Sequence, residues 1–142
     1  VVGMKDSSGV LENMAGAAER FPGFACFAGA DELMLPLLRR GGAGCITAAA
    51  NVTSSLNAAV YNAWVKDGDT AQVETAHEEL TALRKTVSEY PYPPGLKALI
   101  ARHTGNDGWL NIRPPLMALS DAHRNDLYNK FDALGSPMPV AA

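Results

Sequence analysis

Short apolar runs alternate with helical patterns through the first half of the chain. The runs are VVGMK, FACFAGA and GAGCITAAA, and each has the length and near-continuous apolar or small-residue character of a buried strand. Each run precedes a segment whose apolar residues recur at the spacing of one buried helix face. In chain order these residues are Leu11, Met14, Ala15 and Ala18, then Leu33, Met34, Leu37 and Leu38, then Leu56, Ala59, Val60, Ala63 and Trp64. The pattern predicts three βα units and a parallel sheet covered by helices.

Polar and glycine-containing segments mark the ends of these helices. Ser8, Asp31 and Thr53 stand where N-cap residues are expected, and FPG, RRGG and KDGD stand where the three helices should stop. Two architectures fit this α/β alternation, an open doubly wound sheet and a closed barrel.

From residue 69 onward the pattern predicts helices alone. Asp69 with Gln72 resembles a capping box at the start of a long amphipathic helix that reaches Tyr90. The segment PYPPG interrupts this helix. Its buried face is expected to consist of Val73, Ala76, Leu80, Leu83 and Val87.

Two further helices complete the predicted extension. One should run from about 95 to 103, followed by a loop through GNDGWLNIRPP, and the last should begin at Ser120 and end at Gly135. We therefore divide the chain into residues 1–68, which hold the βα units, and residues 69–142, a C-terminal helical extension. The closing segment SPMPVAA is expected to be loose.

Composition and charge exclude several classes of protein. The 142 residues carry a formal net charge of −3 and their Lys and Arg residues are scattered, which argues against binding nucleic acid. No run approaches the roughly 18 apolar residues of a membrane helix, and no signal pattern opens the chain, so a cytoplasmic location away from membranes is expected. Because Val1 falls inside an expected strand, we also expect the chain to be part of a longer protein.

The cysteines and histidines do not suggest a metal site. Cys26 and Cys45 lie in apolar runs and are interpreted as reduced, structural residues. His77, His103 and His123 fall on separate helices without ligand spacing, so surface or capping roles are expected.

Lys5 is the residue that suggests chemistry. Side chains alternate along a strand, so Lys5 shares a face with Gly3 and points away from the helices. It stands at the carboxyl end of its strand, where α/β active sites form. Burial there favours a neutral amine, which attacks ketones to give an imine. The alternative is that Lys5 pairs with Asp6 or another acid at a solvated strand end, and position alone leaves both open.

A family resemblance bears on this choice. GMKDSSG resembles the imine-forming lysine motif of the dihydrodipicolinate synthase and N-acetylneuraminate lyase family, which are class I aldolases built on a TIM (β/α)8 barrel. AGADE, GGAGCITAAAN and RPPL match later parts of the family pattern in order and spacing. The resemblance implies the carboxyl-terminal half of such a barrel, with about the last three βα units and a helical extension.

The resemblance also implies roles for single residues. It makes Lys5 the residue that forms a Schiff base with pyruvate, and it makes the following residues substrate-binding: Ser7, Gly29, Asp31, Glu32 and Ile46. A glycine suits a backbone that a ligand approaches closely. From the residues alone, Asp31 and Glu32 could equally favour a helix N-terminus and Ser7 could be a capping residue.

The resemblance implies a pyruvate-dependent lyase that needs no metal or organic cofactor. Condensation of pyruvate with aspartate semialdehyde is the leading expectation; an N-acetylneuraminate lyase or another 2-keto-3-deoxy sugar-acid aldolase or hydratase-aldolase is the alternative. Ala48 replaces a hydroxyl residue of the sialic acid lyases, which weakens that assignment. The family's proton-relay tyrosine, carboxylate-binding threonines and aldehyde-binding arginine lie upstream of the Lys5 strand, so this segment alone is expected to be inactive.

Two further expectations follow. The tail helices should serve in a homo-oligomer, a tetramer or a dimer. A non-enzymatic alternative also stands, namely an inactive barrel homologue or a fragment with a structural role, in which Lys5 forms an ion pair.

Overall fold

The structure is a computed structural model that describes residues 1–135 and 138. In these residues, three parallel strands form one sheet. They are β1 (Gly3–Asp6), β2 (Ala25–Ala28) and β3 (Gly44–Cys45), and they pair in chain order. In the register, Lys5 lies beside Phe27, and Phe27 lies beside Gly44. The predicted alternation of strand and helix is confirmed.

The helices follow the strands and then continue without them. Their bounds are α1 (Leu11–Arg20), α2 (Met34–Leu38), α3 (Ala50–Asp67), α4 (Ala71–Ser88), α5 (Tyr92–Thr104) and α6 (Asp121–Ala133). Two short 3-10 turns, Asp31–Leu33 and Asp107–Leu110, precede α2 and follow α5. In the described ranges, no helix has both the length and the apolar character needed to cross a membrane.

The two faces of the sheet have different surroundings. Ala28 of β2 is fully buried in one cluster with Met14 of α1 and Leu37 of α2, because the predicted apolar faces of these helices cover this side. Lys5, Phe27 and Gly44 lie on the opposite side, which we call the Lys5 face. Lys5 is exposed and Phe27 is partly buried. The side chain of interest therefore lies away from the helix layer.

All three N-caps predicted on the βα units are wrong, and Asp31 is described with the site below. The N-cap of α1 is Val10, although the Ser8 hydroxyl accepts a hydrogen bond from the Val10 backbone nitrogen at 3.2 Å. Thr53 lies inside α3 and is fully buried. The hydroxyl that accepts from the first turn of α3 belongs to Thr47, 3.1 Å from the Ala50 nitrogen. Thr53 does not cap the helix because its hydroxyl donates a hydrogen bond to the buried Asp31 carboxylate.

The start of α4 also differs from the prediction. Its N-cap is Thr70, whose hydroxyl accepts from the Val73 nitrogen at 3.3 Å. Asp69, the predicted cap, instead accepts two hydrogen bonds from the Arg39 guanidinium, at 2.7 and 3.0 Å. A bidentate ion pair with a cation is stronger than a hydrogen bond from a neutral backbone amide, so the carboxylate turns toward Arg39.

The last two helices match their predictions in part. Helix α5 begins at Tyr92 rather than near Gly95, because prolines are tolerated in a first helical turn, where their missing N–H groups need no partner. Helix α6 has Ser120 as its N-cap, as predicted, with the hydroxyl 3.2 Å from the His123 nitrogen. Gly135 follows it with a φ of 62°. The SPMPVAA segment, apart from Met138, lies outside the described residues.

The helical extension shares its core with the βα units. Val52 of α3, Leu83 of α4 and Leu127 of α6 belong to one buried cluster. A second cluster joins Leu35 of α2 to Leu80 of α4. Apolar contacts therefore cross the predicted boundary between residues 68 and 69, and the division into two units stays a prediction.

Candidate active site

Lys5 and its nearest polar partner lie at the carboxyl end of β1. The Lys5 Nζ donates a hydrogen bond to Ser7 Oγ. Because side chains alternate, Ser7 follows Lys5 on the same side of the chain. The Asp6 carboxylate accepts from the Ser8 backbone nitrogen at 2.5 Å, and this bond, followed by the Ser8 hydroxyl, holds the Asp6 pKa below its usual range. Lys5 thus has the neutral hydroxyl of Ser7 as its hydrogen-bond partner, and Asp6 bonds to Ser8 instead.

The burial expected for Lys5 in a complete barrel stays a prediction, because the described part of this segment carries only three of the strands. The residue is exposed. Burial of the amine would need further groups packed against the Lys5 face. Near Gly44 that face is bordered by the Phe27 ring and by the Tyr61 ring of α3, since a Cβ at Gly44 would lie 3.8 Å from the first and 4.0 Å from the second. No acid of the described ranges forms a salt bridge with Lys5, so the predicted ion-pair alternative finds no partner among these residues.

Gly29 is a glycine because its own chain approaches it. A Cβ at this position would lie 2.4 Å from the Asp6 carbonyl oxygen and 2.6 Å from Ser7 Oγ. Both distances are shorter than side-chain carbons tolerate. The close neighbour is therefore the end of β1, whereas the sequence argument expected a ligand.

Ile46 completes the row at the ends of the three strands. Its backbone nitrogen donates to the Ala28 carbonyl oxygen at 2.8 Å, which continues the pairing of β2 and β3 by one residue. The side chain is 55% exposed. Four of the six predicted site residues are thus at adjoining strand ends: Lys5, Ser7, Gly29 and Ile46.

Asp31 is hydrogen-bonded to side chains of α3 and of the loop that precedes it. It is fully buried, and its Oδ1 accepts from Thr47 Oγ1 at 2.6 Å while its Oδ2 accepts from Thr53 Oγ1 at 3.1 Å. Burial raises the Asp31 pKa, and the hydrogen bonds from these hydroxyls and from Asn57 act against that rise. The predicted capping role is not what the carboxylate does here, because both of its oxygens accept hydrogen bonds from threonine hydroxyls.

Glu32 turns toward the helical extension. Its carboxylate lies 3.3 Å from the Arg84 guanidinium of α4, with about a third of the Glu32 side chain exposed, at 34%. The guanidinium of Arg84 also stands 5.1 Å from the ring centre of Tyr92. The structure thus brings Asp31 and Glu32 to α3 and α4 rather than to the amine of Lys5.

Comparison with known proteins places the chain in a family. The model of the dihydrodipicolinate synthetase family matches residues 1–134. The chain belongs to this family. Among curated relatives, a 4-hydroxy-tetrahydrodipicolinate synthase of Methanopyrus kandleri is 37% identical over 101 residues, covering 70% of this chain and 33% of the relative. An uncharacterized DapA-like lyase of Chloroflexus aurantiacus is 35% identical over 119 residues, covering 84% of this chain and 38% of the relative.

Solved structures of dihydrodipicolinate synthases share the fold. The enzyme from Bacillus anthracis superposes with a TM-score of 0.79 at 25% identity, over 94% of this chain and 45% of that one. The enzyme from Aquifex aeolicus gives a TM-score of 0.82 at 24% identity, over 97% of this chain and 46% of that one. The prediction of a partial TIM (β/α)8 barrel is confirmed, and the chain spans less than half the length of these family members.

The surface or capping role predicted for His77 is wrong. The residue lies inside α4 and is only 8% exposed. Burial lowers its pKa, and its Nε2 is shielded from solvent with no hydrogen-bond partner in the described ranges. The signal was present, since His77 stands four residues after Val73 and three before Leu80 on the buried stripe of α4.

The cysteines lie in the layer between sheet and helices. Cys26 is fully buried, and the Cys45 thiol donates to Asn57 Oδ1 at 3.0 Å. Burial raises the pKa of Cys45 to about 12. Both cysteines are free, as expected. The described residues contain no group of three or more side chains able to hold a metal ion.

Proposed function

We propose that this chain forms the carboxyl-terminal half of a pyruvate-dependent lyase, a class I aldolase in which Lys5 bonds covalently to its keto-acid substrate. The supporting observation is the Lys5 amine at a strand's carboxyl end, hydrogen-bonded to the hydroxyl of Ser7. A hydroxyl, unlike a carboxylate, adds no negative charge that would stabilise the ammonium form. Barrel units packed against the Lys5 face would desolvate the amine and so favour its neutral, nucleophilic form.

The chemistry proceeds through an imine. The neutral amine of Lys5 attacks the C2 carbonyl carbon of pyruvate, and the resulting carbinolamine loses water to give a protonated imine. Water takes up a methyl proton as the electron pair moves into an enamine. The terminal carbon of the enamine then adds to the carbonyl carbon of an aldehyde, the aldehyde oxygen takes up a proton from water, and the imine re-forms. Water then hydrolyses the imine and frees Lys5. Ser7 orients Nζ, and the backbone at Ile46 borders the bound keto acid.

Aspartate semialdehyde is our leading candidate for the aldehyde. Its support is that the relative from Methanopyrus kandleri is named a 4-hydroxy-tetrahydrodipicolinate synthase. A sugar-acid aldehyde is the second candidate, and Ala48 weakens it because a methyl group cannot bond a sugar hydroxyl. No metal or organic cofactor enters the scheme, since the imine itself accepts the electron pair.

The assembly and location are proposals as well. We propose a homo-oligomer, a dimer or a tetramer, formed through the helical extension. The supporting feature is the set of apolar side chains exposed there, with Trp109 at 42%, Leu116 at 45% and Met117 at 81%. A cytoplasmic location, the division at residue 68 and the inactivity of this segment alone rest on the sequence.

Trapping the imine tests the proposal. The intact protein, with the upstream barrel units, is incubated with pyruvate and reduced with borohydride, and its peptides are weighed. We expect one adduct, on the peptide that carries Lys5, and none in Lys5→Arg. The matched control is Lys66→Arg, a change at a lysine whose side chain is 82% exposed, which should leave the adduct in place. An unmodified Lys5 in the wild type would favour the inactive homologue.

A further inference from the structure

We propose that Asp31 is a positioning residue, which fixes the loop between β3 and α3 at the imine site and makes no contact with the substrate. This inference rests on the proposed function. It assigns Asp31 a task different from the substrate binding that the family resemblance implies.

Both oxygens of the Asp31 carboxylate are engaged inside the protein. Oδ1 accepts from Thr47 Oγ1 at 2.6 Å, and Oδ2 accepts from Thr53 Oγ1 at 3.1 Å. Thr53 in turn accepts from Asn57 Nδ2 at 2.8 Å, so the donors are themselves held. With no exposed surface, the carboxylate has no free side to offer a ligand.

Thr47 passes this restraint to the loop. Its hydroxyl donates to Asp31 and accepts from the Ala50 nitrogen at 3.1 Å, so one side chain joins the end of β2 to the first turn of α3. Thr47 also follows Ile46 directly in the chain. Because Ile46 is tied to β2 by the bond from its nitrogen to the Ala28 oxygen, the two bonds together fix the backbone between them.

The fixed backbone lies at the same end of the sheet as the reacting amine, with β2 between β3 and β1. Ile46 follows β3 as Gly29 follows β2 and Ser7 follows β1, and Ser7 accepts from the Lys5 amine. Gly29 and Ser7 are in such close contact that a Cβ would not fit between them. A displacement of the loop therefore changes the space above Lys5, where a small keto acid would bind.

Pyruvate trapping in the absence of any aldehyde separates positioning from substrate contact. In the intact protein, Thr47→Val removes the hydroxyl at nearly constant volume, and we expect the trapping rate to fall about tenfold, as small misplacements of reacting groups do. Thr47→Ser keeps the hydroxyl and should restore the rate. Asp31→Asn should slow the same aldehyde-free step, and the double variant should be no slower than the slower single variant, since both remove one interaction.

The same pyruvate-trapping assay provides the control and the outcomes that would overturn the inference. Thr75→Val deletes an exposed hydroxyl that bonds only the Ala71 carbonyl of its own helix, at 3.1 Å, and should change nothing. If Asp31→Asn leaves aldehyde-free trapping intact and raises only the KM of the aldehyde, Asp31 contacts substrate and the inference is overturned. Unchanged trapping in Thr47→Val overturns it as well.

Hydrogen exchange keeps this test separate from that of the proposed function. The Ala50 amide should exchange faster in Thr47→Val than in Thr47→Ser, whatever the protein catalyses, because its hydrogen-bond acceptor is the Thr47 hydroxyl. The Ile46 amide, which donates to Ala28 and adjoins Thr47 in the chain, should follow as the loop loosens. Absence of any wild-type adduct would refute the aldolase proposal, and the exchange rates would still decide whether Asp31 and Thr47 hold the loop. Equal exchange in all variants would refute the positioning role.

Discussion

A Cβ added to Gly29 would lie 2.6 Å from the hydroxyl oxygen of Ser7. Gly29→Ala must therefore push the ends of β1 and β2 apart. We expect it to lower the free energy of unfolding by about 1–3 kcal/mol, the usual cost of overpacking. It should also slow pyruvate trapping, because Ser7 holds the Lys5 amine. Urea unfolding and the borohydride assay measure the two effects.

Gly16→Ala is the matched control for this substitution. Gly16 lies in α1, and a Cβ there would meet no heavy atom within 4 Å. Because alanine favours a helix over glycine, this variant should be more stable by up to about 1 kcal/mol, with trapping unchanged. Equal behaviour of the two variants would show that the contact of Gly29 with Ser7 is not tight.

The buried His77 should make the protein less stable in mild acid. Burial is the main cause of its lowered pKa, the Arg39 charge adds to it, and the Glu74 carboxylate and the Asp31 and Glu32 backbone act against it. The unfolded chain binds a proton at His77 below its ordinary pKa of 6.5, and the folded chain binds it only at lower pH. Stability should therefore fall as the pH drops below about 6.5.

Substitution at His77 should remove this sensitivity to pH. In His77→Gln, the slope of unfolding free energy against pH should flatten below pH 6.5, the ordinary pKa. The exposed His103 supplies the comparison, since His103→Gln should keep the wild-type slope. Denaturant titrations at a series of pH values give the slopes, and identical slopes in all three proteins would contradict the burial of His77.

The shared core should make the helical extension unfold together with α3. Leu83 is fully buried beside Val52 and Leu127, so Leu83→Ala should cost about 2–5 kcal/mol. Val65, 66% exposed on α3, is the comparison, and Val65→Ala should change stability by less than about 0.5 kcal/mol. Fluorescence and far-UV circular dichroism should report one transition, and separate transitions would favour two independent units.

The cap of α6 gives a local test of helix stability. The Ser120 hydroxyl accepts from the His123 nitrogen, so Ser120→Ala leaves that donor without its partner and should cost about 1 kcal/mol. Ser120→Asn keeps a capping oxygen and should retain most of the stability. Chemical denaturation of the three proteins measures the effect, and a loss in Ser120→Asn as large as in Ser120→Ala would argue against capping.

Local patterns predicted most of the fold. The apolar spacing of Met34, Leu37 and Leu38 identified a buried face, and all three are buried in α2. The alternation of side chains placed Lys5 away from the helix layer. These features depend on residues close together in the chain, and a single sequence contains that information.

Features that depend on distant partners were not predictable in this way. Asp31 and Thr53 each looked like a helix cap, yet they bond to each other across 22 positions. The exposure of Lys5 depends on what packs against the Lys5 face, and no local pattern reports that. The burial of His77 was partly predictable. Its spacing placed it on the buried stripe of α4, but its polar ring suggested the surface.

The positions of the two thiols allow chemical modification to report when the helices separate from the sheet. Cys26 and Cys45 lie on adjoining strands, and Cys45 has a pKa raised to about 12, so almost none of it is thiolate near neutral pH. Because Cys26 is fully buried, an alkylating reagent reaches it only when the helices lift from the sheet, whereas Cys45 is half-buried. The modification rate of the Cys26 sulfur would then measure how often that layer separates, without an added label.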